Sequence, residues 1–155
     1  MDADLRGFRD PLAPVRRYRQ SLLDQAAGVH AGVHARVMQA ETAHIDAVQR
    51  LDAAVEQTSQ AWRHRTDPRL HEGLLAHLTQ QQARVLAAAQ ETDRLREELE
   101  QARSLMLMRQ RQMDALDRHR ERALADYRLA WHRQSAAQAD TDWIARAGLR
   151  KRVGP

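Results

Sequence analysis

The segment HRTDPRLHEG, residues 64–73, is the only clear break between two long stretches of the chain that contain no proline. Pro68 lies inside this segment, and the remaining prolines are Pro11, Pro14 and Pro155. Proline in a helix interior costs about 3 kcal/mol, so the absence of proline on both sides of the segment permits two long helices.

The same segment sets the boundaries that we predict. Asp67 has a side chain suited to capping a helix N-terminus, and Pro68 is favoured at the first helical position. We therefore expect helix one over residues 13–65, a turn at 66–68, and helix two over residues 68–147. Gly148 is expected to end helix two and to begin a basic tail over residues 148–155.

Mostly apolar residues recur at alternating steps of three and four in both stretches, which is the spacing of a coiled-coil seam. In helix one the predicted seam consists of Val37, Ala40, His44, Val48, Leu51, Val55, Thr58 and Trp62. In helix two it begins with Leu74, Leu78, Gln81, Val85, Ala88, Thr92, Leu95, Leu99, Ala102, Met106, Arg109, Met113 and Leu116 and continues to Ile144.

The composition favours long helices over a compact globule. Charged residues make up 30% of the 155 residues, and there are only three Trp, two Tyr and one Phe. A short loop between long helices makes them antiparallel neighbours. We therefore predict an all-α chain, a single antiparallel coiled-coil hairpin of two long helices. At roughly 1.5 Å per residue, helix two is the longer, and about its last 25 to 30 residues overhang helix one.

No pattern in the sequence predicts an active site, a metal site or a cofactor. There is no cysteine, so thiolate metal sites and disulfides are excluded. His71 and Glu72 begin an HExxH-like pattern, but the second histidine is displaced to His77. His30 and His34 have a spacing that could bind zinc, yet no third ligand is placed by the sequence. We expect the chain not to be an enzyme.

The basic residues are concentrated at both termini. Residues 1–20 carry five Arg and three Asp, whereas residues 109–155 carry eleven basic and six acidic groups. In an antiparallel hairpin these two regions meet at the open end, where no run of acidic residues offsets them. Steering toward an acidic protein partner would explain this arrangement. The residues expected to bind a partner there are Arg16, Arg17, Arg19, Arg118, Arg120, Arg122, Arg128 and Trp131.

A second candidate surface lies just after the turn. Leu74, Leu75 and Leu78 are expected to present more apolar surface than one partner helix can cover, so this end should dock on another protein. No run approaches the roughly 18 apolar residues of a membrane span. We expect a soluble, cytoplasmic protein with no membrane insertion.

The basic, Arg/Gln-rich helix at residues 116–147, LDRHRERALADYRLAWHRQSAAQADTDWIARA, and the hairpin pattern resemble one family. The chain is similar to the FliJ/YscO proteins of bacterial type III secretion, including Hrp-type members from plant-associated bacteria. The resemblance implies a stalk that links a hexameric secretion ATPase, bound at the two termini, to an export gate protein at the turn. It also implies binding of export chaperones and a position at the inner-membrane secretion apparatus, with a role in virulence for Hrp-type members.

Two other functions remain compatible with the sequence. One is a generic coiled-coil scaffold or tether. The other, less favoured, is a basic helical protein associated with nucleic acid, because phosphate binding needs several Lys or Arg side chains on one face. The arginines of helix two are instead spread around the helix and interleaved with acidic residues.

Overall fold

A computed structural model describes residues 5–64 and 67–152. A short 3-10 helix at Leu5–Gly7 precedes two long α-helices, α1 at Ala13–Arg63 and α2 at Pro68–Arg152. No strand occurs in these described ranges. The prediction of an all-helical chain built from two long helices that pack against each other is confirmed.

An aspartate side chain caps α2. The Asp67 Oδ1 atom accepts a hydrogen bond from the Arg69 backbone N–H at 3.0 Å, as the predicted capping role requires. This bond satisfies an amide group that a helix start otherwise leaves unpaired. Ahead of α1, the Asp10 Oδ1 atom accepts a hydrogen bond from the Leu12 backbone N–H at 3.0 Å, in the turn that leads into the helix.

The predicted end of α2 is wrong. The helix continues through Gly148 to Arg152, so residues 148–152 are helical and do not form a separate tail. A glycine in a helix interior costs about 1 kcal/mol, which is far less than the cost of proline and does not force a helix to end. Gly154, the other predicted stop, lies outside the described residues.

The chain divides into two compact units, and each long helix contributes to both. The first unit combines residues 1–21 with residues 110–155, and the second is Leu22–Arg109. The core of the second unit is a stripe of small and medium side chains. Its most buried members are Ala26, Val33, Val37, Ala54, Thr58, Gln81, Thr92, Leu95 and Ala102.

Ion pairs join the two helices within the second unit. Arg36 donates to both carboxylate oxygens of Glu98, at 2.8 and 3.2 Å, and Arg96 donates to Glu41 Oε1 at 2.7 Å. As the residue number rises along α1, the number of the partner on α2 falls. This order is consistent with the predicted antiparallel arrangement.

The predicted seam matches α2 closely and α1 less well. Every predicted seam position of α2 from Leu74 to Leu116 is buried or half-buried. In α1, however, Val55 and Trp62 are 50% and 59% exposed, and Ala54 is buried in their place. At its C-terminal end the buried stripe of α1 therefore passes through Ala54 and Thr58, beside Val55 and Trp62.

Candidate protein-binding site

Several exposed or half-buried apolar side chains lie in the parts of the chain where α1 ends and α2 begins. We call this group, consisting of Val55, Trp62, Leu70, Leu75 and Leu78, the turn surface. The first four are between 48% and 59% exposed, and Leu78 is half-buried. Soluble proteins seldom expose several large apolar groups together unless the patch binds something.

A groove of about 480 Å³ opens on the turn surface. Its lining residues are Val55, Thr58, Ser59, Trp62, Arg63 and Leu78. The Trp62 ring meets the His71 ring edge to face, with centroids 5.6 Å apart and planes at 80°. This contact between α1 and α2 orients the indole at the side of the groove. The groove is therefore apolar and bordered by a large aromatic side chain, a combination common at the centre of protein interfaces.

The three leucines predicted at the turn do not share one environment. Leu75 is 48% exposed, whereas Leu74 and Leu78 are half-buried. Only Leu78 lines the groove with Trp62. The sequence analysis missed Trp62 as a surface residue because it assigned Trp62 to the seam. Ala54 and Thr58, four residues apart, lie in the buried stripe instead, and this spacing indicates that Trp62 lies beside the stripe.

The basic residues at the start of α1 are partly engaged within the chain. Arg16 forms ion pairs with Asp10 at 2.8 Å and with Asp117 at 3.3 Å, and its side chain is only 21% exposed. Arg19 donates a hydrogen bond to Gln112 Oε1 at 3.0 Å. Two single carboxylates, those of Asp10 and Asp117, therefore offset Arg16, although no run of acidic residues lies nearby. A charge count along the chain does not reveal which groups meet across the helices.

The remaining predicted arginines are exposed. They form no hydrogen bond or ion pair with any residue in the described part of the chain. They are Arg17, Arg118, Arg120, Arg122 and Arg128. Trp131 is half-buried, and its ring contacts the adjacent His132 ring with centroids 5.2 Å apart. We call Arg17, Arg118, Arg120, Arg122 and Arg128 the free arginines.

A second groove, of about 390 Å³, lies beside Arg19 in the first unit. Its lining residues are Leu12, Val15, Arg19, Gln112, Ala115, Leu116 and His119. Val15 of α1 shares this groove with Leu116 and His119 of α2. The sequence did not predict the groove.

The described residues were compared with the patterns of metal sites and of membrane-spanning helices. No group of three or more His, Cys, Asp or Glu side chains that could hold a metal ion occurs within them. The His30 and His34 rings stack with centroids 6.5 Å apart. Neither α1 nor α2, as far as each is described, contains a stretch apolar enough to cross a membrane.

No protein-family model, curated protein or solved structure matches the chain.

Proposed function

We propose that the protein is a non-catalytic helical adaptor that binds one protein through the turn surface and an acidic protein through the free arginines. The single observation that carries the proposal is the turn surface. It combines an apolar groove, an exposed tryptophan and further exposed leucines at the junction of two helices. A large aromatic side chain beside an apolar groove is a favourable anchor for a partner.

The more specific form of the proposal is a stalk of a type III secretion apparatus. In this form the free arginines contact a hexameric secretion ATPase, the turn surface contacts an export gate protein, and export chaperones bind along the helices. The C-terminal part of α2 extends beyond the start of α1 as an overhang. The site of action is the cytoplasmic side of the inner membrane. The architectural resemblance and the exposed charges of the free arginines support this form.

The turn surface is tested with Trp62→Gln and Leu75→Gln, alone and together. Both residues are about half exposed, so the changes remove apolar contact area from the surface. Trp62→Gln also removes the ring contact with His71, so circular dichroism of each variant checks that the helices are retained. Binding of the purified chain to the export gate protein should weaken at least about tenfold for the double variant, equivalent to about 1.4 kcal/mol. Leu86→Gln is the matched control, because Leu86 is 60% exposed on α2 but is not part of the turn surface.

The free arginines are tested by reversing Arg118, Arg120 and Arg122 to Glu. Binding to the secretion ATPase should weaken strongly, and added salt should weaken binding of the unmodified chain in the same way. The matched control reverses Arg50, Arg69 and Arg84, which are also exposed. If the triple variant and the control bind the ATPase equally well, the stalk form is wrong.

If binding to the export gate protein is unchanged in the Trp62 and Leu75 variants, the adaptor proposal itself is wrong.

A further inference from the structure

The C-terminal part of α2 carries an exposed apolar stripe that is separate from the turn surface. Leu129, Ala136 and Trp143 are spaced by seven residues and therefore share one face of the helix. All three are exposed, with Leu129 at 50% and Trp143 at 72%. The half-buried Trp131 lies about 120° around the helix from Trp143. We call Leu129, Ala136 and Trp143 the outer stripe.

Charges of opposite sign flank the two halves of the outer stripe. Arg128 and Arg133 lie in the first half, Asp140 and Asp142 lie in the second half, and residues 134–139 between them carry no charge. None of the four charged side chains forms an ion pair with another described residue. Arg133 and Asp140 lie on the same side of the helix but are separated by roughly 10 Å along its axis, so they pair poorly with each other.

We infer that the outer stripe pairs antiparallel with the outer stripe of a second copy of this chain, about a two-fold axis near Ala136. This pairing places Leu129 against the partner's Trp143, and the two copies of Ala136 meet at the axis. Arg133 then lies beside the partner's Asp140, and Arg128 lies near the partner's Asp142. Each contact occurs twice, as two-fold symmetry requires.

The charge pattern selects both the partner and the direction. The basic half of the segment is complementary to the acidic half of the same segment, so a second copy matches it without any further sequence requirement. A parallel pair would instead place the basic half beside the partner's basic half and the acidic half beside the partner's acidic half. Flanking charges of this kind set partner choice and orientation in helix pairs. The small residues Ala136, Ala137 and Ala139 allow close approach at the centre. The inference does not rest on the proposed function.

Sedimentation equilibrium of the full chain with charge-reversed variants tests the pairing. Arg133→Asp places two like-charged pairs at the interface in place of two attractive ones, so the dissociation constant of the dimer should rise about tenfold. Asp140→Arg should have the same effect. An equimolar mixture of the two variants should recover dimers, because each variant then supplies the charge that the other lacks. Arg84→Asp, at an exposed position of α2 outside both proposed binding surfaces, is the control and should leave the dissociation constant unchanged.

Cysteine cross-linking tests the direction, since the chain has no cysteine of its own. Ala136→Cys should form a disulfide-linked dimer under mild oxidation. Leu129→Cys should not, because the two copies of residue 129 lie roughly 20 Å apart along an antiparallel pair. Efficient cross-linking of Leu129→Cys would overturn the inference in favour of a parallel pair. A chain that remains monomeric up to high micromolar concentration, or a variant mixture that does not recover dimers, would also overturn it.

Discussion

At the scale of single residues, the polar side chains in the core differ in how well they are satisfied. Thr58 and Thr92 are buried, but each hydroxyl donates to the carbonyl four residues earlier at 2.8 Å. Gln81 is only 4% exposed; its Oε1 atom has no hydrogen-bond partner among the described residues, and its Nε2 atom is 3.5 Å from His77 Nε2. The sequence predicted that all three lie in the seam. It could not predict which would be satisfied, because that depends on side-chain conformation.

Replacing Gln81 with leucine should therefore stabilise the chain. Leucine removes a buried polar group that lacks a good partner, and the free energy of unfolding should rise by about 1 kcal/mol. Urea denaturation followed by circular dichroism measures the change. Gln82→Leu serves as the control, because Gln82 is exposed and its replacement should have little effect. Loss of stability in Gln81→Leu would indicate that the amide contributes a net stabilising contact.

Two glycines within α1 should also be open to improvement. Gly28 and Gly32 lie in the helix interior, and a Cβ atom added to either would meet nothing within 4 Å. Alanine at each position should raise the free energy of unfolding by about 0.5–1 kcal/mol, because it reduces the conformational freedom of the unfolded chain. Differential scanning calorimetry should show a higher Tm for both variants.

Gly7→Ala is the contrasting variant for this measurement. A Cβ atom at Gly7 would lie 2.6 Å from the Tyr127 Oη atom, so the tyrosine side chain must move. Tyr127 also packs edge to face on Phe8, with ring centroids 5.6 Å apart. We expect Gly7→Ala to give no gain in Tm. An equal gain at Gly7 and Gly28 would show that the contact with Tyr127 is unimportant.

At the scale of whole elements, the sequence was sufficient for the helices and insufficient for the register of α1. The absence of proline predicted both long helices, and Asp67 predicted the start of α2. The buried stripe of α2 followed from its apolar spacing. In α1 the stripe passes through Ala54 rather than Val55, whereas hydrophobicity alone favours the larger valine as the buried residue.

The free energy of unfolding should depend weakly on pH in the acidic range, because of an ion pair on the surface of α2. Arg94 donates to both carboxylate oxygens of Glu91, at 2.8 and 2.6 Å, and this hydrogen bonding lowers the pKa of Glu91. The lowered pKa of Glu91 stabilises the folded chain at every pH above the pKa that this carboxyl has in the unfolded chain. That stabilisation is lost as the pH falls through the lowered pKa of the folded chain.

Thermal unfolding of the unmodified chain and of Glu91→Gln should show this dependence. The unmodified chain should be slightly more stable above about pH 5, and the difference between the two should shrink as the pH falls toward 3. The effect should be small, since the pair is exposed and open to screening. A difference in Tm that stays constant from pH 7 to pH 3 would mean that ionisation of Glu91 is not its cause.

At the scale of the whole molecule, the candidate binding residues were predicted only in part. Five of the predicted arginines are exposed, Arg17 on α1 and four on α2, and their role in binding stays a prediction. The charge count also included Arg16, whose charge is offset by Asp10 and Asp117. The turn surface depends on Trp62, whose exposure could not be read from a periodicity that shifts along α1. Contacts between distant residues decide these cases, and the sequence alone does not supply them.

The distribution of stability along α2 provides the last prediction. Residues 81–113 include the buried Gln81, Thr92, Leu95, Ala102 and Met113, whereas most residues from 128 to 146 are exposed. A helix segment with little packing opens locally at low free-energy cost. In hydrogen–deuterium exchange of dilute protein, amides of residues 128–146 should therefore exchange more than about tenfold faster than those of residues 81–113.

As protein concentration rises, exchange in residues 128–146 should slow in the unmodified chain but not in Arg133→Asp, because only the unmodified chain pairs with a second copy. Equal protection of the two ranges in dilute protein would show that residues 128–146 gain their stability from contacts within one chain.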